Sequence, residues 1–100
     1  MVRHIILWKI KSEFSEEQKA EVKRSVKAGL EGLSGQIPGL TAVQVRTEGL
    51  ESSSADMMLD TTFETLEAYQ GYKNHPAHLA VANGVVRPNV ETRLCMDYEE

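Results

Sequence analysis

The segment Val2–Ile10 constrains the fold more than any other part of the sequence, because it has the composition of a β-strand and is apolar on both faces. Alternate residues of a strand point to opposite sides of its sheet. One side would carry Val2, His4, Ile6, Trp8 and Ile10, and the other would carry Ile5 and Leu7. A sheet built around this strand must therefore be covered on both sides.

Two helical regions follow from the caps and the spacing of apolar residues. A capping box at Ser15–Gln18 predicts the start of the first helix, and glycines from position 32 onward end it. The second region, residues 64–86, is interrupted at Pro76, which suits the first position of a new helix with His75 at its cap. Pro88 should stop that helix.

Residues 41–47, 57–63 and 90–98 alternate as strands do. The resulting order, β-α-β-β-α-β, is that of the ferredoxin-like α+β fold, in which the helices lie on one face of an antiparallel sheet. A chain of 100 residues has little room for a second core. We therefore expect one ferredoxin-like α+β domain over residues 1–100.

The second face of this sheet would remain bare. Ile5 and Leu7 lie on it, and the last strand should add a row of Val90, Leu94 and Met96. Soluble monomers rarely expose a large apolar patch. A second copy placed sheet against sheet would cover it, so we expect a homodimer that resembles a barrel with its helices outside.

Composition excludes several classes of partner. The formal net charge of −4 argues against nucleic acid, which needs a clustered basic surface. The longest apolar run, Ile5–Trp8, is too short to span a membrane, and nearby charges such as Arg3 and Lys9 argue against a signal peptide, so we expect a cytoplasmic protein. The single cysteine excludes an intrachain disulfide, and no phosphate loop or acidic metal cluster occurs, so we expect no cofactor.

The string from Tyr72 to His78 concentrates the groups that can move protons. Tyr72 and His78 could meet across the helix break and transfer a proton near neutral pH. The competing interpretation makes Tyr72 a buried aromatic residue and lets His78 bond a backbone group. His75 precedes a proline and is better suited to capping the next helix. No carboxylate or cysteine completes a metal set with the two histidines, so we expect no metal.

The last strand also carries polar residues, on the face opposite its apolar row. Arg93 and Cys95 share this face with Glu91 and Asp97. Arg93 could point inward as an anchor for an anion, but a salt bridge to Glu91 or Asp97 at the edge is the favoured interpretation. We expect Cys95 to be inert packing. Tyr69, on the helix before the motif, should pack that helix against the sheet.

These motifs together resemble the stress-responsive dimeric α+β barrel (Dabb) domain family. The likeness extends over nearly the whole chain and depends on the order and spacing of several strings. They are Val2–Lys9, Ile37-Pro38-Gly39, Tyr72 with His75-Pro76-Ala77-His78, Arg87-Pro88 and Asp97-Tyr98. The resemblance implies the dimeric barrel that the apolar faces predict.

One plant branch of this family is similar to polyketide cyclases that need no cofactor. In that branch a tyrosine and a histidine at the positions of Tyr72 and His78 are the catalytic pair, in a cavity between sheet and helices. Cavity histidines of the branch fall at His4 and Met57 of this chain. The resemblance thus implies catalysis by Tyr72 and His78. The residues expected to bind a substrate are His4, Ile6, Trp8, Met57, Leu59 and His75.

Three hypotheses for function remain. The first is a cofactor-independent cyclase, lyase or binding protein for a hydrophobic carbonyl or polyketide-like compound, with His78 as base, Tyr72 as hydrogen-bond donor and His4 orienting them. The second is a stress-responsive structural or interaction protein without chemistry, which predicts a filled interior where the first predicts an open cavity. The third is a cofactor-free monooxygenase, known from other dimeric α+β barrels.

Overall fold

The structure, a computed structural model that describes residues 1–100, has the predicted ferredoxin-like α+β architecture. One antiparallel sheet has the strand order β2-β3-β1-β4. The strands are β1 (Val2–Ile10), β2 (Leu40–Arg46), β3 (Met57–Phe63) and β4 (Val90–Glu99). The helices are α1 (Glu16–Glu31), α2 (Leu66–Asn74) and α3 (Pro76–Val81). None of them combines the length and apolar character that crossing a membrane requires.

The predicted capping box starts α1. The Ser15 hydroxyl accepts a hydrogen bond from the Gln18 backbone N–H, and the Gln18 side chain accepts one from the Ser15 N–H. These two bonds satisfy backbone donors that the first turn leaves free. Further along, Val22, Val26 and Leu30 form the buried stripe of the helix.

The helix-facing side of the sheet carries the core. All five residues of β1 that were assigned to one face are buried, and they meet the alternate residues Met57, Leu59, Thr61 and Phe63 of β3. Helices α1 and α2 cover them with Val26, Leu30, Tyr69 and Tyr72, among others. The core is therefore a single apolar layer between sheet and helices.

The opposite side of the sheet is open. Leu7 pairs with Met58 on one side and Leu94 on the other, and Ile5 pairs with Met96. Leu94 and Met96 are 65% and 68% exposed. The bare apolar face expected from β1 is thus present on this protomer.

A bulge in β4 corrects one part of that expectation. Lys9 pairs with Thr92 but Ile10 pairs with Val90, so Glu91 is an extra residue in the ladder. Because Ile10 lies on the helix side, Val90 lies there too. Val90 therefore does not share a row with Leu94 and Met96.

The region after α3 also differs from the prediction of one helix reaching Val86. The regular helix ends at Val81, a wider π-helical turn spans Ala82–Val86, and a 3-10 turn follows at Arg87–Asn89. Pro88 lies inside this last turn rather than beyond the helical path. Turns of the π type frequently occur at functional sites.

Candidate functional site

A cavity of about 480 Å³ lies between the sheet and the helical segments around α2 and α3. This volume is within the range of small-molecule sites in proteins. Its lining comprises His4, Ile6, Trp8, Leu30, Leu59, Tyr69, Tyr72, Lys73, His78, Leu79, Ala82, Val86, Arg87, Val90 and Arg93. The bulge and the π-helical turn contribute Val90, Ala82 and Val86 to this wall.

Most of the residues assigned to a site from the sequence meet here. His4, Ile6, Trp8, Leu59, Tyr72 and His78 all line the cavity. Met57 does not: it pairs with Trp8 in the sheet and is buried in the core. His75 does not either, because its Nδ1 accepts a hydrogen bond from the Ala77 N–H and caps α3.

The turn between α2 and α3 brings Tyr72 and His78 together. Extended backbone at His75 and Pro76 at the first helical position redirect the chain. The two rings lie 4.1 Å apart between centroids, tilted by 36°. The Tyr72 hydroxyl and His78 Nδ1 are both buried without a hydrogen-bond partner in the protein. Buried polar atoms are nearly always hydrogen-bonded, so this pair needs a partner from the cavity.

His4 is held by a carboxylate on the neighbouring strand. Its Nδ1 lies 2.5 Å from Asp97 Oδ1, and the Tyr69 hydroxyl donates to Asp97 Oδ2 at 2.9 Å. Burial opposes ionisation of Asp97, but the hydrogen bonds from His4, Tyr69 and Cys95 outweigh it and lower the pKa of Asp97. An ionised carboxylate only accepts hydrogen bonds, so His4 Nδ1 carries the proton and its Nε2 is left as an acceptor.

Burial sets the protonation of the other groups. It raises the pKa of Tyr72 to about 12, so the phenol keeps its proton at neutral pH. Burial also lowers the pKa of His78 and, against the pull of Asp97, that of His4 below the ordinary 6.5. The cavity thus holds one tyrosine hydroxyl ready to donate and two neutral imidazoles ready to accept a proton.

The prediction that Cys95 is inert packing is wrong. Its thiol is exposed and donates a hydrogen bond to Asp97 Oδ1 at 3.3 Å. With His4 and Asp97 it places three possible metal-ligating atoms within 4.8 Å of one another. However, His4 Nδ1 uses its proton on Asp97, and partial desolvation of the sulfur, together with its hydrogen bond to Asp97, raises the pKa of the thiol. These protonation states favour a hydrogen-bonded cluster over a metal centre.

The favoured salt bridge of Arg93 is wrong, and the packing role of Tyr69 is only part of what that residue does. Arg93 forms no salt bridge with Glu91 or Asp97; it lines the cavity instead. Glu91 accepts a hydrogen bond from the Ser12 backbone N–H. Tyr69 does pack between helix and sheet as expected, but it also belongs to the polar site through Asp97. The alternation of β4 puts Arg93 and Asp97 on one face. This was the sequence signal for the place of Arg93 in the cavity wall and for that of Asp97 in the polar site.

Comparison with known proteins agrees with this architecture. The family model of the stress responsive A/B barrel domain, Dabb, matches residues 2–100. No curated protein matches the sequence. A dimeric protein of unknown function with a ferredoxin-like fold from Bacteroides fragilis is 29% identical, with a TM-score of 0.90 over 99% of this chain and 95% of that one.

Two more distant solved structures share the fold. A Dabb family protein from Mesorhizobium loti is 23% identical, with a TM-score of 0.76 over 99% of this chain and 95% of that chain. The hydroxynitrile lyase of Passiflora edulis is 19% identical, with a TM-score of 0.72 over 97% of this chain and 90% of that chain. At these identities the likeness concerns the fold alone.

Proposed function

The chain belongs to the stress-responsive A/B barrel (Dabb) family, and from this premise we propose that it binds a hydrophobic carbonyl compound and moves a proton on it without a cofactor. The observation that carries the proposal is the pair of buried, unpartnered polar atoms, the Tyr72 hydroxyl and His78 Nδ1, at the wall of an apolar cavity. A carbonyl compound supplies what both atoms lack, an acceptor for the phenol and an acidic C–H for the imidazole.

The proposed step is an enolisation. The Tyr72 hydroxyl donates a hydrogen bond to the carbonyl oxygen, and neutral His78 takes a proton from the adjacent carbon. The electron pair of the broken C–H bond enters the enolate, whose oxygen the phenol stabilises. In a cyclase, the enolate then attacks a second carbonyl, and the histidinium returns its proton to the product. In a lyase, the same steps run in reverse.

His4 and Asp97 would orient this chemistry. The bond to Asp97 fixes the His4 ring and its tautomer, and leaves Nε2 as an acceptor at the cavity wall. His4 and Tyr72 have ring centroids 6.2 Å apart, so one ligand can reach both. The passionfruit lyase has a comparable fold, and a lyase reaction is one form of this proposal.

A ligand-binding role is favoured over a purely structural one. The structural hypothesis predicts a filled interior, whereas a cavity of about 480 Å³ separates α2 and α3 from part of the sheet. A cofactor-free monooxygenase would use a similar cavity. It differs in consuming oxygen, which an oxygen electrode measures directly during turnover of any ligand found.

We further propose a homodimer in which each protomer keeps its own cavity. Leu7, Leu94 and Met96 form an exposed apolar surface on the sheet face away from the cavity. The Bacteroides fragilis relative is described as dimeric. A sheet-to-sheet contact would bury this surface without covering the helices.

Thermal stabilisation by a panel of hydrophobic ketones, phenolic acids and lactones tests the binding proposal. A ligand at about 100 times its dissociation constant adds about 2.7 kcal/mol to the stability of the wild type. We expect a Tyr72→Phe/His78→Ala double variant to lose most of this gain. His75→Asn is the matched control, because it removes an imidazole outside the cavity while keeping a cap-forming side chain. Equal stabilisation of the double variant and the wild type contradicts the proposed site.

A further inference from the structure

Three positively charged side chains line the cavity. Lys73 comes from the last turn of α2, Arg87 from the 3-10 turn and Arg93 from β4. All three residues are exposed, so they lie at the mouth of the cavity rather than in its interior. No aspartate or glutamate is among the lining residues. The mouth therefore has a formal charge of +3 in a chain whose net charge is −4.

None of these cations has a carboxylate partner in the protein. The cationic partners in the ion pairs of the structure are the N-terminus and four side chains, those of Arg3, His4, Arg24 and Lys27. Lys73 instead lies over the Tyr69 ring, 5.3 Å from its centroid, which holds the ammonium group at the cavity wall. Three like charges that line one cavity without a counter-charge repel one another, so a ligand anion is the natural partner.

The positive charges affect the pKa values of His78 and His4 in the cavity. Burial is the main cause of the lowered pKa of His78. A backbone hydrogen bond at Lys73 raises this pKa, and His4, Arg87 and Arg93 lower it further. Burial likewise dominates at His4, where Arg93 and Lys73 add to the effect. Because the three cationic residues and the two imidazoles line the same cavity, one small molecule can reach both.

We propose that the natural ligand is an apolar keto acid, with its carboxylate at the mouth against Lys73, Arg87 and Arg93 and its ketone at Tyr72 and His78. This inference depends on the proposed function, since it adds a charged group to the same carbonyl ligand. Two of the three cations are arginines, whose planar fork matches the two oxygens of a carboxylate. The apolar body would contact Ile6, Leu30 and Leu79 along the cavity.

Calorimetric titration with two matched probes tests the inference. The probes are 4-benzoylbutyrate and its methyl ester, which share the aryl ketone and differ in charge. We expect the wild type to bind the acid about tenfold more tightly than the ester at low salt, because several exposed ion pairs act together. Added salt should reduce this preference by screening the exposed charges.

Variants then show which residues cause the preference for the acid. Arg87→Gln/Arg93→Gln should lose most of the preference for the acid and keep only the part due to Lys73, and Lys73→Gln should show a smaller loss of preference. Arg24→Gln is the matched control, because it removes one charge from the solvent face of α1, where Arg24 pairs with Glu21. Far-UV circular dichroism checks that each variant is folded; Lys73→Gln carries the test alone if the double variant is not.

The possible outcomes distinguish failure of the inference from failure of the proposed function. Equal affinity of the wild type for acid and ester overturns the inference while leaving the carbonyl site in place. A preference for the acid that survives the arginine and lysine substitutions also overturns it. Failure of the wild type to bind either probe contradicts both the inference and the proposed function.

Discussion

At the scale of single residues, burial prepares two neighbouring groups for opposite tasks. The Tyr72 phenol is fully buried and keeps its proton, since its pKa is about 12. His78 stays neutral for the same reason, because burial penalises the charged form of each group. One environment therefore yields a hydrogen-bond donor and a proton acceptor 4.1 Å apart between ring centroids.

The same burial predicts a pH dependence of stability. The folded-state pKa values of His4 and His78 lie below 6.5, so the folded protein binds fewer protons than the unfolded chain as pH falls below that value. The free energy of unfolding should therefore fall from pH 7.5 to about pH 5, and level off once the folded-state pKa values are passed. Asp97 acts only at more acidic pH, since its pKa is lowered from 3.8.

Urea unfolding at fixed protein concentration measures this dependence. His78→Asn should flatten the curve between pH 7.5 and 5, leaving the part due to His4. A wild-type protein whose stability is constant or increases as pH falls through this range would contradict the assignment of two neutral histidines in the cavity.

Much of the site could be predicted at this scale, and the remainder had a specific cause. His75-Pro76 marks a helix break, so the meeting of Tyr72 with His78 follows from local chemistry. The link between His4 and Asp97 does not, because it depends on the pairing of β1 with β4. A strand's own alternation gives its faces but not its register. Asp97 was therefore assigned to a face, and its partner was missed.

At the scale of elements, close contacts position the helices over the sheet. Gly39, just before β2, has a φ of +81°, and a Cβ at this position would collide with the Ala68 side chain of α2. Glycine is thus required there by both backbone conformation and space. This close approach brings α2 against the start of β2.

We expect Gly39→Ala to lower the free energy of unfolding by about 1–3 kcal/mol, through backbone strain and the collision with Ala68. Gly71→Ala is the matched control, because it lies in α2 with nothing within 4 Å of an added Cβ. That substitution should stabilise the protein by about 0.5–1 kcal/mol. Chemical denaturation measures both. A neutral or stabilising Gly39→Ala would show that the turn has no such constraint.

The extents of the main elements were predictable because caps and alternation are local signals. The capping box at Ser15–Gln18 and the alternation from Met57 to Phe63 both agree with the structure. The bulge at Glu91 was not predictable, because it depends on the pairing of β4 with β1, far along the chain. Val90 was consequently assigned to the wrong face.

At the scale of the whole molecule, one sheet serves two surfaces. Its helix side carries the cavity, and its open side carries exposed apolar residues, including Leu94 and Met96. The fold and the open face both followed from the sequence, since β1 is apolar on its two sides. The volume of the cavity did not, because it depends on how the helices sit above the sheet.

The dimer can be tested on the open face. We expect Leu94→Glu to shift the protein to monomers at micromolar concentration, because it places a charge in the centre of the apolar surface. Leu66→Glu is the control: Leu66 is also exposed, but it lies on α2 at the helix side and should leave the dimer intact. Size-exclusion chromatography with light scattering distinguishes the two. A Leu94→Glu protein that stays dimeric would contradict the proposed interface.

The central claim, that this cavity moves a proton on a bound carbonyl compound, is tested most directly by deuterium exchange. A ketone that stabilises the protein is incubated with it in heavy water, and NMR follows the loss of hydrogen from the carbon beside the carbonyl. We predict exchange faster than in buffer for the wild type, reduced about a hundredfold by Tyr72→Phe or His78→Ala and unchanged by His75→Asn. Exchange at the buffer rate for every ketone that binds would contradict the claim.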